Sequence, residues 1–325
     1  MLYAPAMRRL LVLAGTLALI VAALFGWGHH NARADPMVHQ ASVILPNWPK
    51  DAAPVRVLLL SDIHYGNSVM DAARLSRIVA QANALSPDLI LIAGDFVAGH
   101  DPTAAEASAA ALVAPLAKLR APLGVIATLG NHDQSTRPAL IRKALERAGI
   151  TVLENEATER GPLAVGGVGD VFTLHNDLPK TLAALRALPG ARLVVTHSPD
   201  LSPQLPSDVT LLLAGHTHCG QIVVPMLGPL AQVSMPQYLC GVVREHDWTT
   251  IVTGGIGTSI LPLRFDAPPD MWIVTIGAAP AHCEDGTMAF CTSQAPPAKP
   301  NELGDGGAKR VKADTFRLDA NRPRS

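Results

Sequence analysis

The sequence predicts an α/β layered domain. Short apolar runs alternate with longer segments whose apolar residues recur at helical spacing, the pattern of strand–helix units around a parallel sheet. Later apolar runs follow one another without long helices between them and are expected to add antiparallel strands. Residues that can ionise or ligate a metal cluster just after the apolar runs.

The first segment is apolar without being a domain element. Residues 10–28 carry no charge and follow Arg8 and Arg9. A helix of that length spans roughly 28 Å, close to the apolar thickness of a bilayer. It reads as a signal anchor, or as a signal peptide cleaved after the Ala32-Arg33-Ala34 motif; the arginine pair also fits a twin-arginine export signal. The positive flank stays inside, so all three readings place the rest of the chain outside the cytoplasm. Residues 1–34 are thus a targeting segment, and the proline-rich 35–54 is expected to be a linker.

Regular structure then begins. Residues 55–60, 88–93 and 125–129 are expected as buried strands, and 71–85, 103–119 and 138–148 as helices. Residues 192–196, 209–214, 248–253 and 271–276 complete the strands of a domain over 55–278. From 279 to 325 the composition turns to Ala, Pro, Gly and mixed charge, and a disordered tail is expected.

Composition narrows the function classes. Among 325 residues, 48% are hydrophobic and 16% charged, which supports a sizeable core. Net charge is −1, so no overall basic field attracts nucleic acid, and none is expected as a partner. The four cysteines, Cys219, Cys240, Cys283 and Cys291, form no CxxC pair, which speaks against a cysteine-bound zinc. Cys283 with Cys291 is the more plausible local disulfide, and Cys219 reads as a small residue filling a turn.

Five strand ends deliver chemistry. They carry Ser61-Asp62-Ile63-His64, Gly94-Asp95, Gly130-Asn131-His132-Asp133, Thr196-His197-Ser198 and Gly215-His216-Thr217-His218. Ligands of open α/β sheets bind at the carboxyl ends of strands, so these groups should share one rim. Asp62 with His64, and His216 with His218, are two apart and would project together from an extended segment. Glycines 94, 130 and 215 would supply tight turns. Asp, His and Asn suit divalent Mn, Fe or Zn. More ligands are present than a single zinc needs, whereas two cations sharing one carboxylate would use Asp62, His64, Asp95, Asn131, His197, His216 and His218 together.

The ordered set DxH, GD, GNHD, a lone His and GHTH resembles the signature of calcineurin-like metallophosphoesterases, across about residues 55–276. SDIHYG, THSPD, AGHTHCGQI and the late GTSILPLRF-DAPPD segment resemble a membrane-anchored bacterial branch of phosphodiesterase-like proteins, some assigned as UDP-2,3-diacylglucosamine pyrophosphatases. The resemblance implies a four-layer α/β/β/α sandwich of two mixed sheets flanked by helices. It implies that Asp62, His64, Asp95 and His218 hold one metal, with Asp95 bridging to a second held by Asn131, His197 and His216. A hydroxide between the cations would attack a phosphodiester or pyrophosphate, and His132 would face the leaving group. The location implied is the bacterial inner membrane with a periplasmic domain, or the periplasm after cleavage near Ala34.

Two departures matter. Many relatives read GDxxD, whose second Asp orients the histidine; here that position is Ala98, so either Asp133 orients His132 or the dyad is absent. Where relatives have Gly after GHTH, this chain has Cys219. Arg264 is placed either on a substrate phosphate or in an ion pair with Asp266 or Asp270. The apolar anchor and the apolar stretch 222–242 suggest a lipid-linked substrate, with loop packing as the alternative. Competing functions are a non-catalytic metal-binding scaffold, a hydrolase of lipid A biosynthesis, and a protein Ser/Thr phosphatase.

Overall fold

The computed structural model describes residues 3–245 and 248–277. The tail read over 279–325 and the Cys283–Cys291 pairing lie outside them. The chain opens with α1 (Tyr3–Ala32), β1 (Met37–Ile44), β2 (Val55–Leu60), α2 (Ala72–Ala84), β3 (Leu89–Ala93) and α3 (Pro102–Leu116). Next come β4 (Val125–Thr128), the single turn α4 (Asn131–Gln134), α5 (Pro138–Arg147), β5 (Thr151–Val152), β6 (Glu156–Arg160), β7 (Leu163–Gly167) and α6 (Leu178–Arg186). The last elements are β8 (Ala191–Val195), β9 (Leu211–Ala214), β10 (Val223–Val224), β11 (Gly228–Pro229), β12 (Gly241–Glu245), β13 (Trp248–Val252) and β14 (Asp270–Gly277).

Among the described residues these strands form two six-stranded mixed sheets, ordered β1-β14-β2-β3-β4-β5 and β12-β13-β9-β8-β7-β6, plus the ribbon β10-β11. Strands β2 to β5 run parallel, as do β7, β8, β9 and β13. Alternation along the strands sorts the core into layers. Leu58, Leu60, Ile90 and Ile92 pack under helices α2, α3 and α5. Val57, Leu59, Leu89 and Leu91 face Leu193, Val195, Leu211 and Leu213 of the second sheet. On that sheet's outer side, Ala164, Val194 and Leu212 meet Leu178, Leu182 and Leu185 of α6. The result is the expected four-layer α/β/β/α sandwich, with both sheets buried on both faces.

Three expectations change. Met37–Ile44 is an edge strand parallel to β14 rather than linker. The prolines at 36 and 46 bracket the segment and leave its own amides free to pair. Residues 154–180, where the sequence leads to no expected strand or helix, contain β6, β7 and the start of α6. The polar EATER of β6 lacks an apolar run, and β7 ends in glycines that read as turn. Gly166 and Gly167 are needed there for closeness: a Cβ would sit 2.7 Å from Leu185 Cδ1 and 2.3 Å from Leu153 Cβ, respectively. Finally, Cys219 is not a turn filler. It is disulfide-bonded to Cys240, Cα atoms 4.8 Å apart, because the excursion through β10 and β11 returns to its start.

Helix α1 contains one segment, Met7–Ala32, long and apolar enough to cross a membrane, with a mean hydropathy of 2.4 and a most apolar window that packs against nothing in the fold.

Leu91 is fully buried between the sheets, away from the polar rim. Leu91→Ala should therefore cost ~2–5 kcal/mol in chemical denaturation while leaving metal content per folded chain unchanged.

Candidate metal centre

The carboxyl ends of β2, β3, β4, β8 and β9 meet at one rim, and each seats its polar residue on the first loop residues beyond the strand. The ligand loops are not extended. Asp62 (φ 51), His64 (φ 45), Asp95 (φ 56), His216 (φ 72) and His218 (φ 51) all adopt left-handed backbone conformations. Such conformations cost non-glycine residues about 1–3 kcal/mol each and persist only where the surroundings enforce them. Here they do: the Asp62 amide donates to Gly94 O (2.9 Å), His64 to Asp95 O (3.0 Å) and Gly257 to Asp62 O (2.7 Å). At Gly130 the constraint is space rather than turn geometry, since a Cβ would lie 2.2 Å from Asp95 Oδ1.

Each carboxylate has one oxygen tied down and one presented. Asp62 Oδ2 accepts from the Ser61 hydroxyl and from the His216 amide at 3.0 Å. Its Oδ1 is buried without a hydrogen-bond partner, 3.3 Å from His218 Nε2 and 3.7 Å from His64 Nε2. Asp95 Oδ1 accepts from the His132 amide at 2.9 Å. Its Oδ2 lies 3.4 Å from His64 Nε2 and 3.3 Å from His197 Nε2. His197 Nδ1 donates to Ala93 O (2.7 Å), which turns Nε2 toward Asn131 Oδ1 (3.1 Å) and His216 Nδ1 (3.2 Å). His64 Nε2 and His218 Nε2 are 3.1 Å apart.

These spacings fit cations. Two ligand atoms about 2.1 Å from one ion sit about 3.0–3.4 Å from each other. Asp62, His64, Asp95 and His218 approach one another at 3.1–3.7 Å, and Asp95, Asn131, His197 and His216 at 3.1–3.3 Å. The ring nitrogens and carboxylate oxygens of these sets converge on one another, and Asp62 Oδ1 is buried without a hydrogen-bond partner, an arrangement that a bound cation would satisfy. Burial and mutual charge also set the ionisation of these groups. Burial disfavours the ionised carboxylates, yet the surrounding imidazoles hold Asp62 and Asp95 below the usual range. Burial likewise opposes charging His197, yet Asp95 raises it well above an ordinary histidine. His216 and His218 are lowered, mainly by burial, and so are kept in the neutral form that can ligate.

The remaining predicted residues are placed differently. His132 Nδ1 donates to Gly99 O at 3.0 Å, its Nε2 lies 3.3 Å from Ser259 Oγ, and the ring stacks on His100 with centroids 4.5 Å apart. Asp133 does not orient it. Its carboxylate accepts from the amides of Phe96, Val97 and Gly130 and so clamps the β3 and β4 loops together. Burial, with the Asp95 charge, pushes it up to about 7. The orienting partner sought at Ala98 is thus the next residue's carbonyl, which no side-chain motif can signal. Arg264 is fully buried and cannot reach a substrate. Its guanidinium donates to the carbonyls of Gly254 (2.6 Å), Gly255 (3.1 Å), Gly257 (2.8 Å) and Ala267 (2.9 Å), and lies 3.4 Å from His218 Nδ1. It fastens the loop behind the site in place of either expected ion pair. Sequence reasoning passed over Ser259 and His100 because neither lies in a ligand motif. Both line a cavity of about 380 Å³ that opens over Asp95, Asn131, His216 and His218.

Residues 55–220 match the family model described as calcineurin-like phosphoesterase. Phosphodiesterase YaeI of Escherichia coli (strain K12) is 33% identical over 235 residues, covering 70% of this chain and 83% of that protein. A transmembrane protein with metallophosphoesterase domain from Danio rerio is 30% identical over 271 residues, covering 76% of this chain and 59% of that protein. A solved dimetal phosphatase from Danio rerio aligns with a TM-score of 0.39 at 15% identity, over 63% of this chain and 88% of that one.

Replacing Arg264 by Met would strip donors from several buried carbonyls at once. A loss of at least ~3 kcal/mol of stability is expected by urea titration, with weakened metal retention in whatever remains folded.

Proposed function

Because the chain belongs to the calcineurin-like phosphoesterase family and is a metal-dependent phosphoester hydrolase, we propose that it cleaves phosphodiesters or pyrophosphates at the rim just described. The carrying observation is Asp95 Oδ2, within 3.4 Å of His64 Nε2 on one side and 3.3 Å of His197 Nε2 on the other. That oxygen is where two donor sets join. Asp62, His64, Asp95 and His218 would hold one cation, and Asp95, Asn131, His197 and His216 the other. Two divalent cations, when bound, polarise phosphoryl oxygens and lower the pKa of water. Mn, Fe or Zn suits the mixed imidazole and carboxylate donors.

The diester preference rests on the cavity. No lysine or arginine is among its described lining residues, so the second charge of a terminal monoester phosphate would find no side-chain cation. Phe172, Ile222, Leu230 and Ile260 offer apolar surface for a second substituent. The relative named phosphodiesterase agrees with this reading. His132 is the proton donor to the leaving oxygen, through Nε2. Burial pulls its pKa down, while the Asp95 charge, and then the Gly99 carbonyl that accepts from Nδ1, partly restore the charged form.

The domain is read as lying outside the cytoplasm, on the outer face of the membrane that α1 crosses. Arg8 and Arg9 precede the apolar run. The Cys219–Cys240 disulfide suits an oxidising compartment. Retention of α1 is favoured over cleavage after Ala34, because Gly28, His29 and Asn31 all contact the 262–265 segment. An outward domain argues against a cytoplasmic lipid A precursor as substrate.

The test is turnover by the full chain in detergent, after chelation and reloading with Mn, Fe, Zn or Mg. Bis-p-nitrophenyl phosphate should be cleaved in preference to p-nitrophenyl phosphate, and Asp95→Ala should abolish both activity and bound metal. Monoester preference, or diester cleavage that survives chelation, would sink the proposal. His132→Ala should keep its metal yet lose about 10²–10⁴-fold in kcat on an alkyl-leaving diester, and much less on a p-nitrophenolate leaving group.

A further inference from the structure

The outer wall of the cavity is apolar and uncovered. Ile260 is 95% exposed and Leu227 82%, with Met226, Leu230 and Leu261 also standing in solvent. Leu230, Ile260 and Leu261 line the cavity, so this patch is a lip of the site. Met226 and Leu227 tip the β10–β11 ribbon, whose Val223 amide donates to Phe265 O at 3.0 Å. Soluble surfaces rarely gather this many large aliphatic side chains without a partner.

The lip is continuous with the base of α1. One peptide bond beyond Leu261, Pro262 O accepts from His29 Nδ1 at 3.0 Å, and the Arg264 amide donates to Gly28 O at 3.0 Å. The Trp27 ring meets Phe265 edge-on, centroids 5.5 Å apart. Along α1 the large apolar side chains from Leu10 to Trp27 are exposed, and burial against the domain begins at Gly28. The bare stretch therefore ends where docking starts, at a tryptophan, the residue type that favours the membrane–water boundary.

We propose that the lip of Met226, Leu227, Leu230, Ile260 and Leu261 dips into the bilayer that α1 crosses, so that the site takes an amphiphilic phosphoester from the membrane plane. The apolar part of such a substrate stays in the lipid and rests on the lip, while its phosphodiester or pyrophosphate reaches the Asp95–His132 rim. The chemistry of this substrate rests on the phosphodiesterase reading above; the membrane contact does not.

The contact is tested on the full chain in phosphatidylcholine–phosphatidylglycerol vesicles, with Cys283 and Cys291 replaced by serine. A bimane probe is attached at Leu227→Cys or Ile260→Cys. Glu159→Cys, exposed on β6 toward the rim opposite the site, is the control. Brominated acyl chains should quench the first two at least twofold and leave the third unchanged. Absence of quenching at 227 and 260 overturns the proposal. This includes the case in which iodide also fails to reach them, which would mean that protein covers the lip. In the activity arm, Met226→Glu with Leu227→Glu should slow hydrolysis of vesicle-borne p-nitrophenyl hexadecyl phosphate at least tenfold and leave soluble bis-p-nitrophenyl phosphate turnover unchanged. Equal rates on the vesicle substrate would overturn it. Failure of the wild type on the soluble diester would instead strike the phosphodiesterase reading, with the quenching result standing on its own.

Discussion

Asp95 sits at the end of a strand in one sheet and faces histidines delivered by both. One of its oxygens is fixed by the His132 amide at 2.9 Å, so the other can point only between His64 and His197. Everything else at the rim follows from keeping that oxygen there. The β3 and β4 loops must lie against each other, which Asp133 secures by gathering three amides. Residue 130 must lack a side chain, because the space is already taken by the Asp95 carboxylate. The ligand loops must accept left-handed backbone conformations, whose cost is offset by the apolar layers beneath them.

The same requirement explains a fully buried arginine. The loop from Gly254 to Gly257 passes directly behind Asp62 and turns its carbonyls inward, where water does not reach. Arg264 satisfies them from a single planar group, a task suited to its fixed fork of donors. Burial and desolvation lower its pKa to about 10, still far above neutrality, so its charge is secure. That charge beside His218 also disfavours protonation of the imidazole and helps keep its ring available to a cation.

Catalysis and location meet in one short stretch of chain. Ser259 touches His132, Ile260 and Leu261 edge the cavity, and Pro262 to Phe265 hold the base of α1. A helix that merely tethered the domain would need no such contact. Packing α1 against the segment that walls the cavity sets the orientation of the site relative to the apolar helix, which under the proposal above turns the entrance toward the bilayer.

The sequence by itself determined the alternation of strands and helices, and hence the shared rim, because buried parallel strands must be apolar along their length and their ends must turn polar. It also determined the residues that gather there, since Asp62, His64, Asp95, Asn131, His197, His216 and His218 each follow a legible strand. It did not reveal β1, β6 or β7, whose half-polar or glycine-ended runs gain their strand character from neighbours rather than from their own pattern. Only the tertiary structure decided the roles of groups that act through the backbone. The Gly99 carbonyl orients His132 where an aspartate was sought. Asp133 binds amides instead of an imidazole, and Arg264 binds carbonyls instead of a substrate. Cys219 finds Cys240 only because a ribbon loops out and returns. In each case the deciding partner is a main-chain atom or a distant residue. Main-chain groups are the same at every position, so where they point is a property of the folded chain alone.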